Sequence, residues 1–255
     1  MANLTYDADR ETLESEHTAE AIQERITEGQ DHSYIRDAVL GGIDGAVTTF
    51  AVVCGVVGGQ LPGSVAVLLG FANLLADGFS MAVSNFEGTD SQRDLIDRAH
   101  RIEKRHIEEI PEAEVEEIRE IYRQKGFGDE LLDEIVEVVT GDEKLWVETM
   151  VTEEWGLPLE SPDPLRAGLV TFAAFCAAGL VPLAPFLFGG LGPTQTFTVS
   201  VAATGVTFLG IGLLKGVYTD VPTLRSGVST LLTGGGAAAS AYLVGYLLRG
   251  IVQGV

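Results

Sequence analysis

Residues 38–59 read AVLGGIDGAVTTFAVVCGVVGG, and after the turn Gln60-Leu61-Pro62-Gly63 residues 64–85 read SVAVLLGFANLLADGFSMAVSN. A helix rises about 1.5 Å per residue, so roughly 20 apolar residues cross a hydrocarbon core about 30 Å thick. Two such stretches joined by a Pro-Gly turn predict a helical hairpin across a bilayer. Three further windows have the same character, 167–190, 195–214 and 226–248, and Leu191-Gly192-Pro193-Thr194 forms the turn between the first two of these. The sequence therefore predicts an all-α integral membrane protein with five transmembrane helices.

The remainder of the chain is polar. Residues 1–37 form an acidic tail, 38–85 the first two spans, 86–166 an insert too long to be a passive connector, and 167–255 the last three spans. In the insert, Ser91–Ile107 continues the second span as a charged helix, and Pro111 opens a helix over Glu112–Lys125 that Gly126 ends. Apolar residues at helical spacing predict two more: Leu131, Leu132, Ile135, Val136 and Val139 within 128–139, and Leu145, Trp146, Met150 and Val151 within 143–155. These stripes predict a small helical domain with its own core.

Lys and Arg set the expected orientation, because short basic loops stay in the cytoplasm. The two tight turns carry none, whereas ten lie between Phe86 and Arg166, and Lys215 and Arg225 flank the last loop. The tail and the insert are expected to be cytoplasmic and the C-terminus outside. No basic start, short apolar core and cleavage site of a secretory leader precedes the first span, which is expected to serve as signal and span together.

With 37 Asp and Glu against 16 Lys and Arg, the net charge is −21. Phosphate contacts with nucleic acid need clustered cations, so that class of partner is excluded. Uniform acidity with few lysines is also the habit of proteins adapted to high salt, and bulk charge alone marks no metal site. Cys54 and Cys176 lie far apart in apolar runs without a second metal-ligand residue nearby, and read as buried thiols.

The chemistry concentrates in spans one and two, since the other three windows contain no Asp, Glu, Lys, Arg or His. Asp44 sits among the glycines of Gly41-Gly42-Ile43-Asp44-Gly45, with Thr48 one turn away. Asn73, Asp77, Met81 and Asn85 follow at intervals of four and draw a polar stripe along the second helix. Hydrogen bonding between helices accounts for the asparagines and for Ser80 and Ser84. It does not account for two carboxylates with no basic residue in any span to pair with, which must be neutralised by a proton or a cation. Met81 has two readings: a lone methionine in a span usually packs, but one turn from Asp77 its thioether would add a soft donor that favours Fe(II) or another transition metal over Mg or Ca.

Asp44-Gly45 with its Val-Thr-Thr, Ser80-Met81-Ala82, the run Pro111 to Gly126, and Glu153-Glu154-Trp155-Gly156-Leu157 together resemble the vacuolar iron transporter family, in order and spacing, from about His32 to the end. The resemblance implies a homodimer of five-helix subunits that exchanges Fe(II), and Mn(II) as well, for protons. It implies a path lined by Asp44 and Met81, with Asp77 on the same stripe, and no prosthetic group. It further implies that the insert holds metal through Glu109, Glu117, Glu120 and Glu154, with Met150 as sulfur donor. His106 stands where the family usually carries glutamate, and Val151 where it often has a second methionine. Histidine still ligates Fe(II) and Mn(II), though only when neutral, which would make binding pH-sensitive.

These expectations describe a multi-pass protein of a prokaryotic cell membrane that carries metal out of the cytoplasm. The rival reading is a membrane-anchored metal sensor that binds without transporting. An enzyme is not expected, because no nucleophile and base pair, phosphate loop or cofactor motif is visible.

Overall fold

The computed structural model describes residues 14–15, 17–27, 33–188, 190–219 and 221–252, so much of the tail, including 1–13 and 28–32, lies outside the described residues. All regular structure among them is helical: α1 (Ala19–Thr27), α2 (Ile35–Gly58), α3 (Gly63–Glu109), α4 (Pro111–Gln124), α5 (Asp129–Thr140), α6 (Glu143–Glu153), α7 (Pro164–Leu187), α8 (Pro193–Thr219) and α9 (Thr223–Val252). Five of these, α2, α3, α7, α8 and α9, are long and apolar enough to cross a membrane. α2 begins at Ile35, so Asp37 lies in its first turn rather than in the tail. α8 and α9 overrun the apolar windows and carry Lys215, Arg225 and Arg249 near their ends, where helical hydrogen bonding continues past the apolar stretch.

The chain separates into two compact units, one formed by residues up to Asn85 and from Leu165 onward, the other by Phe86–Pro164. Helix α3 belongs to both. At 47 residues it is about 70 Å long, far more than a bilayer core requires, and its polar second half builds the insert.

In the membrane unit the helices approach through small residues, as they must where lipid leaves no hydrophobic drive between them. A Cβ on Gly41 would lie 2.2 Å from the Thr171 carbonyl oxygen, and one on Gly45 equally close to that of Phe175. α2 and α7 therefore touch backbone to backbone. Gly58 and Gly245 do the same for α2 and α9. Ala46, Phe50, Val53, Phe175, Leu183 and Phe208 fill the space between, while Leu68, Leu75, Phe79, Leu232 and Leu247 stay exposed, as a lipid-facing surface requires.

In the insert, Ile118 of α4, Leu132, Val136 and Val139 of α5, and Trp146 and Met150 of α6 form one core. Leu131 and Leu145, assigned by spacing to the same stripes, are exposed instead. α6 starts at an N-cap the periodicity did not mark: the Asp142 side chain accepts from the amides of Lys144 and Leu145.

Candidate metal sites

In the membrane unit α2 and α3 run antiparallel, and their polar residues meet as rungs. The Asn73 amide donates to Thr48 Oγ1 at 3.2 Å, and Thr48 donates to the Asp44 carbonyl at 2.9 Å. One turn along, Asp77 lies close enough for its charge to act on Asp44. Further along, Asn85 Nδ2 donates to Asp37 Oδ1 at 2.9 Å and to Thr171 Oγ1 of α7 at 2.7 Å. The first two pairs, Thr48 with Asn73 and Asp44 with Asp77, are in step, and Asp37 meets Asn85 one residue further along α3. Asp44 is half-buried and Asp77 exposed; Met81 is partly buried, its side chain packed on the apolar core. The structure thus brings Asp44 and Asp77 together and adds Asp37 as a third carboxylate of the ladder. No lysine, arginine or histidine takes part in these contacts.

The second group lies in the insert. α3 ends at Glu109, Ile110 breaks the helix, and Pro111 starts α4, so residues equally distant from Ile110 lie at similar depth in the two helices. Glu103 and His106 of α3 meet Glu114 of α4, with a donor atom from each within 4.8 Å of the others. His106 Nδ1 lies 3.3 Å from Glu114 Oε1. Glu103 and Glu114 are each 1% exposed. Burying two carboxylates side by side is costly unless a cation or protons join them.

That cost appears in the titration of the group. Burial, then the charges of Glu117 and Glu103, push the Glu114 carboxyl up to about 7, against a small opposing pull from His106. Glu154 is also raised, by burial first and then by Glu103 and Glu117. The mutual repulsion ties Glu117 and Glu154 to the same group. Met150 is fully buried one turn before Glu154 and packs in the core that holds Ile118. One oxygen of each buried carboxylate, Glu103 Oε2 and Glu114 Oε2, has no hydrogen-bond partner among the described residues. Carboxylate oxygens with an imidazole form a borderline donor set, suited to first-row transition metals.

Glu109 and Glu120 are not brought to this group. Both are exposed; Glu109 is held by Arg105 at 2.9 Å, and Glu120 by Gln124 and Arg123. These contacts lower both carboxyls, the opposite of the shift at Glu114.

The model of the VIT family matches residues 35–246, which include both groups. The chain belongs to the VIT family. It is 32% identical over 228 residues to a vacuolar iron transporter of Toxoplasma gondii, covering 86% of this chain and 76% of that one. It is 31% identical over 232 residues to vacuolar iron transporter 2 of rice, Oryza sativa subsp. japonica, covering 90% and 91%. Vacuolar iron transporter 1 of Arabidopsis thaliana is 27% identical over 251 residues, covering 98% and 97%. As a VIT-family chain with five such helices it is a membrane protein.

Within this VIT-family chain, reading by spacing missed Glu103, Glu114 and Asp37. The first two share the i, i+3 face of residues already singled out, Glu103 with His106 and Glu114 with Glu117, and that spacing was the available signal. Asp37 stood seven residues before Asp44, two turns away on the same face.

Proposed function

We propose that this protein transports divalent transition-metal ions, Fe(II) and also Mn(II), across a membrane in exchange for protons. The single observation that carries the proposal is the ladder of α2 and α3, in which Asp77 lies within charge range of Asp44 and no lysine, arginine or histidine among the described residues joins the ladder's contacts. Two carboxylates so placed need a cation or a proton, and either can replace the other. Competition between proton and metal at one site is the basis of exchange. The names of the relatives support iron as the cargo.

The insert collects metal before it enters the ladder, through Glu103, His106, Glu114, Glu117, Glu154 and Met150. Basic residues concentrated in the insert argue for a cytoplasmic insert and tail, a C-terminus outside, and export across the cell membrane. A homodimer is the working assembly, following the family resemblance. The group that works on the cargo is a set of ligands, and the protein acts as a carrier rather than an enzyme.

The test is transport by purified protein in proteoliposomes containing a metal-quenched dye. Fe(II)- or Mn(II)-dependent quenching should require an opposing proton gradient and be lost in Asp44→Ala. Quenching that persists in that variant, or wild-type protein that binds metal but gives none, would refute transport through the ladder.

A further inference from the structure

Glu103 has a partner that ligation alone does not call for. α6 ends at Glu153, and the chain leaves it through Glu154-Trp155-Gly156-Leu157. Gly156 adopts φ +64, a conformation that favours glycine, and the reversal is closed by the Trp155 amide on the Met150 carbonyl at 3.3 Å and the Leu157 amide on Val151 at 3.1 Å. The turn folds Trp155 back beside Ala99, Val147 and Val151. Ala99 lies one turn before Glu103 on α3. From this seat the indole N–H donates to Glu103 Oε1 at 2.6 Å, and Oε2 is left as the one oxygen of that carboxylate without a hydrogen-bond partner among the described residues.

We propose that Trp155 is a positioning residue that holds Glu103 as a one-oxygen ligand and so sets the insert's preference for transition metals over Ca(II). The proposal rests on the metal-holding role of the insert group. A carboxylate whose Oε1 accepts from a neutral donor keeps its charge, but turning both oxygens to one ion would compete with that hydrogen bond for the orientation of the group. Ca(II) takes six to eight oxygens and commonly uses carboxylates through both, whereas first-row transition ions accept single donors that include nitrogen and sulfur. The indole therefore contributes twice: it fixes the direction of the donor, and it disfavours the two-oxygen binding that a larger, harder ion would use.

The experiment is calorimetric titration of the full-length protein in detergent micelles with Co(II) and, separately, with Ca(II), comparing wild type with Trp155→Phe. Phenylalanine keeps an aromatic ring in the apolar seat and removes the N–H. Loss of an outer hydrogen bond to a ligand costs about 10–100-fold in affinity, so Co(II) binding should weaken by that factor while Ca(II) binding stays unchanged or strengthens. The Co(II) over Ca(II) preference should fall at least tenfold. In Glu103→Gln protein the same change should have no further effect on the ratio.

Equal weakening for both ions would mean that Trp155 only packs, and unchanged binding would mean that it does nothing for the site; either overturns the proposal. Wild-type protein that binds neither ion refutes the metal reading, and the proposal falls with it. Should Trp155→Phe fail to fold, the chain offers a second measurement, since its two tryptophans are Trp146 and Trp155. In Trp146→Phe protein labelled with ¹⁵N at the indole, the remaining N–H resonance should shift in proportion to added Zn(II), a diamagnetic ion. A resonance indifferent to Zn(II) that binds the protein refutes the role of Trp155.

Discussion

Replacing Glu114 with glutamine should make the metal-free insert more stable while weakening its hold on metal. The Glu114 carboxyl is raised from an ordinary 4.5 to about 7 by burial and by Glu117 and Glu103. The folded protein thus holds this proton more tightly than the unfolded chain, and between those pH values it binds more protons. Stability contributed by the group is complete below about pH 4.5 and is lost as pH rises through about 7, where the native carboxylate must ionise in its buried place. A shift of that size corresponds to about 3 kcal/mol. Glutamine has the same shape, stays neutral, and still offers an oxygen to His106 Nδ1. Above pH 7.5, Glu114→Gln should therefore exceed wild type by up to about 3 kcal/mol, and below pH 4.5 the two should converge. Hydrogen exchange of the α4 amides in chelator-treated full-length protein, converted to opening free energies at pH 4.5 and 8, measures this directly. Adding Mn(II) at pH 8 should stabilise wild type and leave the variant nearly unaffected. A wild-type insert as stable at pH 8 as at pH 4.5, or a variant less stable than wild type at pH 8, would refute the reasoning.

Four further outcomes follow from the same geometry. Glu109→Gln and Glu120→Gln remove exposed carboxylates paired with arginines, so each should leave Co(II) affinity within about twofold of wild type by calorimetry. His106→Glu replaces the nitrogen donor of the insert group by oxygen and should move its preference from Zn(II) toward Mn(II) by roughly tenfold in competition titrations. Asn85→Ala strips Asp37 and Thr171 of a shared donor in a buried setting and should cost about 1–3 kcal/mol, read as a lower melting temperature in detergent. Gly45→Ala forces a Cβ to within 2.2 Å of the Phe175 carbonyl oxygen; separating α2 from α7 should cost about 1–3 kcal/mol and reduce the yield of folded protein on size-exclusion chromatography.

The five long helices were legible because the bilayer imposes a length and an apolar composition that the sequence cannot hide. The polar stripe of α3 was legible for a similar reason: in an apolar helix, Asn73, Asp77 and Asn85 stand out. The insert has no such contrast. Its helices carry ionisable residues at every turn of the relevant face, 103, 106 and 109 on α3 and 114, 117 and 120 on α4, and a spacing of three is satisfied by any adjacent pair. Choosing among them requires knowing where the helices cross. The break at Ile110 supplies it: His106 and Glu114 both lie about 6 Å along their helices from the break, Glu103 and Glu117 about 10 Å, whereas Glu109 and Glu120 differ in depth by more than 13 Å. Helical hairpin register, more than residue type, decides which carboxylates meet. Asp37 was obscured by a different cause, the helix beginning before the apolar window does.

The net charge of −21 explains why acidity is a poor guide here and burial a good one. Most carboxylates of the insert are solvated, many beside an arginine or a lysine, as Arg105 with Glu109 and Lys104 with Glu143. Such residues keep a protein soluble at high salt and need no further role. Glu103 and Glu114 cannot be explained so, because at 1% exposure they contribute almost nothing to the solvated surface. Their burial beside Glu117 and Glu154 is opposed by desolvation and by repulsion, and among the described residues their side-chain partners are one imidazole and one indole N–H. A fold retains such an arrangement at the cost of its own stability when a bound cation offsets the charge. The same logic separates the membrane ladder from ordinary helix contacts: asparagine and threonine would have joined α2 to α3 by themselves, and on the proposed reading Asp44 and Asp77 add a charge for a mobile cation or proton to neutralise.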